Sequence, residues 1–172
     1  MTRNKLQITC QKIISGGQTG VDRGTLDACL QNNFDYGGWC PKGRLAEDGK
    51  IDIKYKLTET KENEYRSRTY KNVENSDATF IISKKNLQGG TLLTKQIAER
   101  LKKPVLILFP EESDLEDLVI KMIKFLQNKN ISILNVAGPR KSEWAEGYKY
   151  SRQLISGLIQ KIQKKSQNPL HL

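Results

Sequence analysis

The residues best placed to do chemistry are Ser15-Gly16-Gly17-Gln18-Thr19-Gly20-Val21-Asp22-Arg23, which follow the apolar pair Ile13-Ile14 and lead into a helical pattern that runs to about Leu30. A glycine-rich turn between a strand and a helix lets backbone N–H groups approach a ligand and aims the positive end of the helix dipole at it. The chemistry this serves best is the holding of an anion, above all a phosphate. Thr19 either caps the helix or bonds a phosphate oxygen. Asp22 is favoured by the dipole without any function, yet it opposes an anion unless it holds a hydroxyl, an amine or a cation. Arg23, Lys42, Arg44 and Arg68 are the candidate counter-charges for a ligand with more than one negative group, and each reads equally as a surface charge.

Three further glycine clusters carry the same signal: Gly37-Gly38-Trp39-Cys40-Pro41-Lys42-Gly43-Arg44, Gly89-Gly90-Thr91-Leu92-Leu93-Thr94, and Ala137-Gly138-Pro139-Arg140. Singly, each is ordinary turn chemistry. Together, at the ends of successive strands, they imply a crevice where backbone comes close to a ligand. Two common owners of such a turn are excluded. It lacks the Gly-Lys-Ser/Thr ending of a nucleoside-triphosphate loop and the G-x-G-x-x-G spacing of a dinucleotide site, and Asp35 precedes the second strand, where it cannot hold a ribose. The one histidine, His171, stands in the terminal Pro-Leu-His-Leu, so histidine-based catalysis and metal ligation are not expected.

The elements that must position these residues follow from hydrophobic pattern. Lys12–Ser15, Tyr36–Trp39, Ala78–Ser83, Val105–Phe109 and Ile131–Val136 read as short strands, and the unbroken apolar runs among them fit parallel strands covered on both faces. Helical spacing links Leu93, Ile97, Ala98 and Leu101 ahead of Pro104, and Leu115, Leu118, Val119, Met122, Ile123 and Leu126 behind Ser113 and Asp114. It recurs from Trp144 and Tyr148 through Ile162, a helix expected to cover the last strand, and weakly over Glu62 to Asn75. Residues 40–61 form one long irregular segment, a length that usually marks a functional or mobile loop. The pattern predicts an α/β fold: three Rossmann-like layers, a mostly parallel sheet of about five or more strands, and helices on both faces. Residues 1–172 are expected to form one such domain, with 1–11 and 165–172 as flexible tails.

Composition narrows the partners. With 29 Lys and Arg against 19 Asp and Glu, the net charge of +10 suits a polyanionic small molecule, an acidic surface or nucleic acid, or simply a solvated exterior. The three cysteines, Cys10, Cys29 and Cys40, form no C-x-x-C pair, which indicates neither a disulfide framework nor a zinc site and fits a reducing cytoplasm. Cys29 falls on the apolar side of its helix. Cys40 reads as a reactive thiol, a sulfur contact or a small half-buried residue. Neither a signal peptide nor a run of ~18 apolar residues for a membrane span is recognised.

Ile14 to Arg23, together with Gly38-Trp39-Cys40-Pro41-Lys42-Gly43-Arg44 and Ala46-Glu47-Asp48-Gly49, resembles the molybdenum carrier family, the proteins grouped with the molybdenum cofactor carrier. Tyr65, Arg68-Thr69, Asn72-Val73, Ser76 to Thr79, Gly89-Gly90-Thr91, Thr94, Lys103-Pro104 and Leu134 to Arg140 extend the resemblance over most of residues 13 to 160. Lys141 to Gly147 departs from the Ser-Lys-x-Pro-Gly type of stretch expected after Gly-Pro-Arg. The resemblance implies a Rossmann-like fold related to lysine-decarboxylase-like proteins, a homo-oligomer, and storage or delivery of a molybdopterin-type cofactor, a pterin with a phosphate and an oxidation-prone dithiolene. The ligand set it suggests is Gly16, Gly17, Gln18, Thr19, Gly20, Asp22, Arg23, Lys42, Arg44, Arg68, Gly89, Gly90, Thr91 and Thr94, with no metal-ligating side chain. Two alternatives stand beside it. One is a nucleotide-processing enzyme of the phosphoribohydrolase type, although the glutamate of its Pro-Gly-Gly-x-Gly-Thr-x-x-Glu motif is missing after Gly89-Gly90-Thr91, which leaves Asp22 and Asp48 as substitutes. The other is a single-stranded nucleic-acid-binding protein, suggested by the charge.

Overall fold

The structure is a computed structural model and describes residues 8–167. Its elements in chain order are β1 (Lys12–Ile14), α1 (Val21–Gln31), β2 (Tyr36–Gly37), β3 (Trp39–Cys40), β4 (Leu45–Ala46), β5 (Gly49–Lys50) and β6 (Thr58–Glu59). There follow α2 (Tyr65–Glu74), β7 (Ala78–Ile82), α3 (Gly89–Arg100), β8 (Val105–Leu108), α4 (Leu115–Lys129), β9 (Ile133–Ala137) and α5 (Gly147–Gln167).

The central sheet has five strands in the order β2-β1-β9-β7-β8, and every pairing is parallel. The doubly covered, apolar strands expected from sequence account for it. Read cyclically from β7 through β8 and β9 to β1 and β2, the order becomes 2-1-3-4-5, that of a doubly wound sheet. The last strand therefore lies between the first strand and β7. The point where strand order reverses falls between β7 and β9, so a ligand crevice is expected beyond their C-terminal ends.

Strand alternation divides the interior into unequal halves. Phe80 and Ile82 of β7 and Leu134 and Val136 of β9 join the large apolar core with Val21, Leu26, Met122, Leu126, Leu154 and Leu158. Phe80 meets Phe125 edge-on at 5.4 Å between ring centroids. On the other face, Thr79 of β7 and Asn135 of β9 share a buried hydrogen bond of 3.2 Å, and a small cluster of Val73, Ile97 and Ala98 packs α2 against α3. Layers of helices thus cover both faces, but the α2/α3 side is polar toward the strand ends.

Local signals act where expected. Asp114 caps α4 by accepting from the N–H groups of Glu116 and Asp117, and Asn130 ends the helix in the left-handed conformation. The helix expected to cover the last strand instead packs chiefly on α1, with α4 and β7 as further neighbours. The run Tyr36–Trp39 is not one strand. Gly38 has φ 130°, and a Cβ there would stand 2.1 Å from the Ser15 carbonyl, so the chain turns and Trp39-Cys40 pairs with Thr58-Glu59 in a separate ladder. The 40–61 segment therefore contains two small ladders, β3–β6 and β4–β5.

Of the stretches expected as tails, residues 1–7 and 168–172, with His171, lie outside the described residues. Thr9 and Gln11 hydrogen-bond to the carbonyls of Ile131 and Ser132, and residues 165–167 continue α5. Among the described residues, no helix is long and apolar enough to cross a membrane.

Candidate functional site

A cleft of about 270 Å³ opens at the reversal point between β7 and β9. Asn135, Ala137 and Gly138 form its floor, α2 contributes Tyr65, Arg68, Thr69 and Asn72, and α3 contributes Gly90, Thr91, Leu93 and Thr94. Gly16, Gln18 and Asp22 border it from the first turn, and Arg140 and Glu143 from the last. A depression of about 670 Å³ lies outside α2, among Trp39, Thr60, Tyr70 and Lys71, but no strand of the central sheet borders it.

At the cleft wall, Asp22 Oδ2 accepts from Arg68 Nη1 at 2.8 Å and from the Gln18 N–H at 3.3 Å. This pairing explains the carboxylate that the turn alone left puzzling. Burial pushes the Asp22 carboxyl above its ordinary value, against the opposing pull of the Arg68 charge and hydrogen bond and of bonds from Gln18 and Ser15. The pair also explains Gly16, because a Cβ there would lie 1.6 Å from Arg68 Nη1.

Two buried side-chain atoms bordering the cleft have no hydrogen-bond partner: Arg68 Nε and Thr91 Oγ1. Buried polar atoms are almost always satisfied, so these two stand out among the polar groups of the cleft. Thr91 belongs to the first turn of α3. That terminus carries no side-chain cap, and the N–H groups of Gly89 and Gly90 have no partner among the described residues. The free donors and the positive end of the α3 dipole therefore sit beside the unpartnered hydroxyl.

The first turn is built differently. The Gln18 N–H bonds Asp22, the Thr19 N–H bonds Gln18 Oε1, and the Val21 N–H bonds the Pro139 carbonyl. Arg23 grips the Gly17 carbonyl at 3.1 Å and forms a forked pair with Asp48. Glu47 fastens the turn to the last loop: it accepts from the hydroxyls of Thr19 and Ser142 and from the Ser142 N–H, while its own N–H bonds Gln18 Oε1. Burial alone would raise the Glu47 carboxyl, but these bonds and nearby Arg140 hold it below its ordinary value.

Of the residues singled out from sequence, the cleft brings together Gly16, Gln18, Asp22, Arg68, Gly90, Thr91 and Thr94, whereas Gly17, Thr19, Gly20, Arg23, Lys42, Arg44 and Gly89 do not line it. Gly17 faces Leu57 and Ile51, and Lys42 is exposed on the 40–61 segment. Arg44 is buried, with its guanidinium donating to the carbonyls of Ile51, Asp52, Tyr55 and Leu57. It organises the loop from within. Cys40 is fully buried rather than half-buried, and burial raises its thiol above the ordinary value, against a reactive thiolate. Asn135, Asn72, Arg140 and Glu143 line the cleft without having been singled out as ligands. Asn135 left a signal, as the one polar residue in the strand Ile133-Leu134-Asn135-Val136-Ala137. Asn72 bonds both the N–H and the carbonyl of Trp39, holding β3 against α2.

Residues 13–159 match the circularly permutated YpsA SLOG family. The chain belongs to that family. Permutation accounts for the cyclic strand order, with β9 between β1 and β7. Among solved structures, the chain is similar to one described as "Putative molybdenum carrier protein", from Syntrophus aciditrophicus SB. The two are 41% identical over 88% of this chain and 96% of that one, with a TM-score of 0.86. No curated protein matches.

Proposed function

We propose that this member of the family is a binding and carrier protein that holds a phosphorylated small molecule, a molybdopterin-type cofactor, in the cleft between α2 and α3. The observation that carries the reading is that Arg68 Nε and Thr91 Oγ1, both buried and unpartnered, belong to residues bordering one cleft, Thr91 in the uncapped first turn of α3. A phosphate supplies acceptors for both, and the helix terminus favours its charge. The polar lining of Gln18, Thr69 and Asn135 suits the hydrogen-bonding edges of a pterin. Among the described residues no cluster of His, Cys, Asp or Glu could hold a metal ion. In this reading molybdenum would travel as cargo on the dithiolene sulfurs of its own pterin. The similarity to a protein named for molybdenum carriage supports the choice of ligand.

The buried thiols fit a cytoplasmic location, and self-association, implied by the family resemblance, is checked by sedimentation. One observation favours a second reading, a nucleotide-processing enzyme: the cleft holds a buried carboxyl, Asp22, in place of the missing motif glutamate. That enzyme should release free base from a panel of nucleoside monophosphates, and absence of turnover removes it.

The binding test is calorimetric titration with a phosphorylated pterin, alongside mass spectrometry of small molecules that co-purify with the native protein. Thr91→Val should weaken binding about tenfold, the scale of one hydrogen bond to a charged group. The same change should leave the melting temperature of the ligand-free protein equal or higher, since it removes a buried hydroxyl with no partner. Unchanged affinity in Thr91→Val overturns the assignment of the site.

A further inference from the structure

The mouth of the cleft contains an anion of the protein's own. The Glu143 carboxylate borders the cleft and stands against the first residue of α3, where its Oε1 would lie 3.4 Å from a Cβ on Gly89. The same oxygen accepts from Arg140 Nε at 3.1 Å. It thus holds the exposed cation of the last loop and stands beside the uncapped α3 terminus without bonding its N–H groups, next to the two electrostatic features that an incoming anion needs. Lys84 steadies the segment through a 2.8 Å bond to the Glu143 carbonyl, a backbone contact that leaves the side chain free to turn outward. Behind Glu143, Thr91 is 3% exposed with its hydroxyl unpartnered, so the carboxylate does not satisfy the deeper part of the site.

We infer that Glu143 is an affinity- and charge-selecting residue of the cleft: an internal competitor that must be displaced from Arg140 and the α3 terminus before a phosphate group can bind there. The inference rests on the phosphate site proposed above and adds a property to it. With Glu143 in place, the charged side chains bordering the cleft are Asp22 and Glu143 against Arg68 and Arg140, two of each sign. A weakly charged anion gains little by displacing the carboxylate. A phosphate dianion gains more, because it keeps both the helix terminus and Arg140 after the swap. The residue therefore holds out small monoanions and yields to a phosphate monoester, and it keeps binding reversible, as a carrier requires for release.

The test is titration of inorganic phosphate into the full chain at low ionic strength, for the native sequence, Glu143→Gln and Glu146→Gln, followed by Glu143→Gln/Thr91→Val. Glu146 is exposed and lies outside the cleft, so its variant controls for net charge. Glu143→Gln should bind phosphate about tenfold more tightly, the combined scale of one exposed ion pair and one helix-terminus charge. Chloride should compete more effectively in that variant than in the native protein, and Glu146→Gln should match the native protein. Adding Thr91→Val should cancel most of the gain. Equal or weaker phosphate binding by Glu143→Gln, with Thr91→Val still reducing it, overturns the competitor role while leaving the site intact. A gain in Glu143→Gln that Thr91→Val does not reduce, or no phosphate binding by any variant at millimolar phosphate, overturns the site and the competitor role together. An equal gain from Glu146→Gln reduces the effect to net charge and overturns the assignment to Glu143.

Discussion

Arg68→Met should expose how much of the cleft wall depends on one ion pair. Asp22 and Arg68 are buried together, with 4% and 15% of their side chains exposed, and their charged atoms are 2.8 Å apart. Methionine keeps the length of the stem and removes the charge, so the Asp22 carboxylate would stand buried with no cation. Breaking a buried pair from one side costs about 3–5 kcal/mol at neutral to alkaline pH. For a chain of this size that lowers the melting temperature by roughly 6–20 °C. Burial already raises the Asp22 carboxyl above its ordinary 3.8 despite Arg68, and losing Arg68 raises it further. A group raised in the folded state favours folding at low pH, where it is protonated in both states, and that contribution is lost as pH rises through the folded value. The gap between native protein and variant should thus be widest near pH 8 and close steadily toward the acid side. Urea unfolding across that range measures it. Asp22→Asn in the same chain should recover much of the loss. Gly16→Ala should cost a comparable amount by crowding both Arg68 and Asp22, and its effect should add less than fully to that of Arg68→Met. A penalty below about 1 kcal/mol, or one independent of pH, would refute the claim that this pair holds the wall.

Other outcomes follow from the same geometry. Arg44→Lys should cost about 2–4 kcal/mol, because an ammonium cannot reach four carbonyls spread over Ile51 to Leu57. Hydrogen exchange should speed up across residues 44–57 first, and uniform exchange would contradict the role. Burial pushes the thiols of Cys10 and Cys29 up to about 12 and raises that of Cys40. A thiol reagent at pH 8 should label none of the three quickly until denaturant is added, and rapid native labelling of Cys40 would show that its cover opens.

Much of the fold was legible in the chain. Strands covered by helices on both faces must be apolar at successive positions, so the fully buried Phe80-Ile81-Ile82 announced itself, as did the edge strand Val105 to Leu108, half-buried at its first three positions, and the helix from Leu115 to Leu126 through its spacing and its Asp114 cap. Boundaries set by backbone conformation were less visible. Tyr36–Trp39 reads as one strand because nothing local says that Gly38 turns the chain into another ladder; the close approach of Ser15 decides that. Among the residues lining the cleft, Gly16, Asp22, Arg68 and Thr91 were picked out by type and setting. The same criteria also picked Arg44 and Arg23, whose charge is taken up inside the protein. Side-chain type states what a group can do but not which partner reaches it first.

The sequence by itself determined a parallel, doubly covered sheet with glycine-rich turns at its strand ends, because hydrophobic period and glycine placement act over a few residues. Only the tertiary structure decided which of those turns offers free donors. In the first turn Asp22, Gln18 and Pro139 take up the N–H groups of Gln18, Thr19 and Val21, whereas the start of α3 pairs its uncapped first turn with the unpartnered Thr91 hydroxyl. The Asp22–Arg68 pair spans 46 positions, and the bond between Glu47 and Ser142 spans 95. Contacts at such separations exist only once the sheet has brought the strand ends together, so the chemistry of the cleft belongs to the fold and not to any one segment.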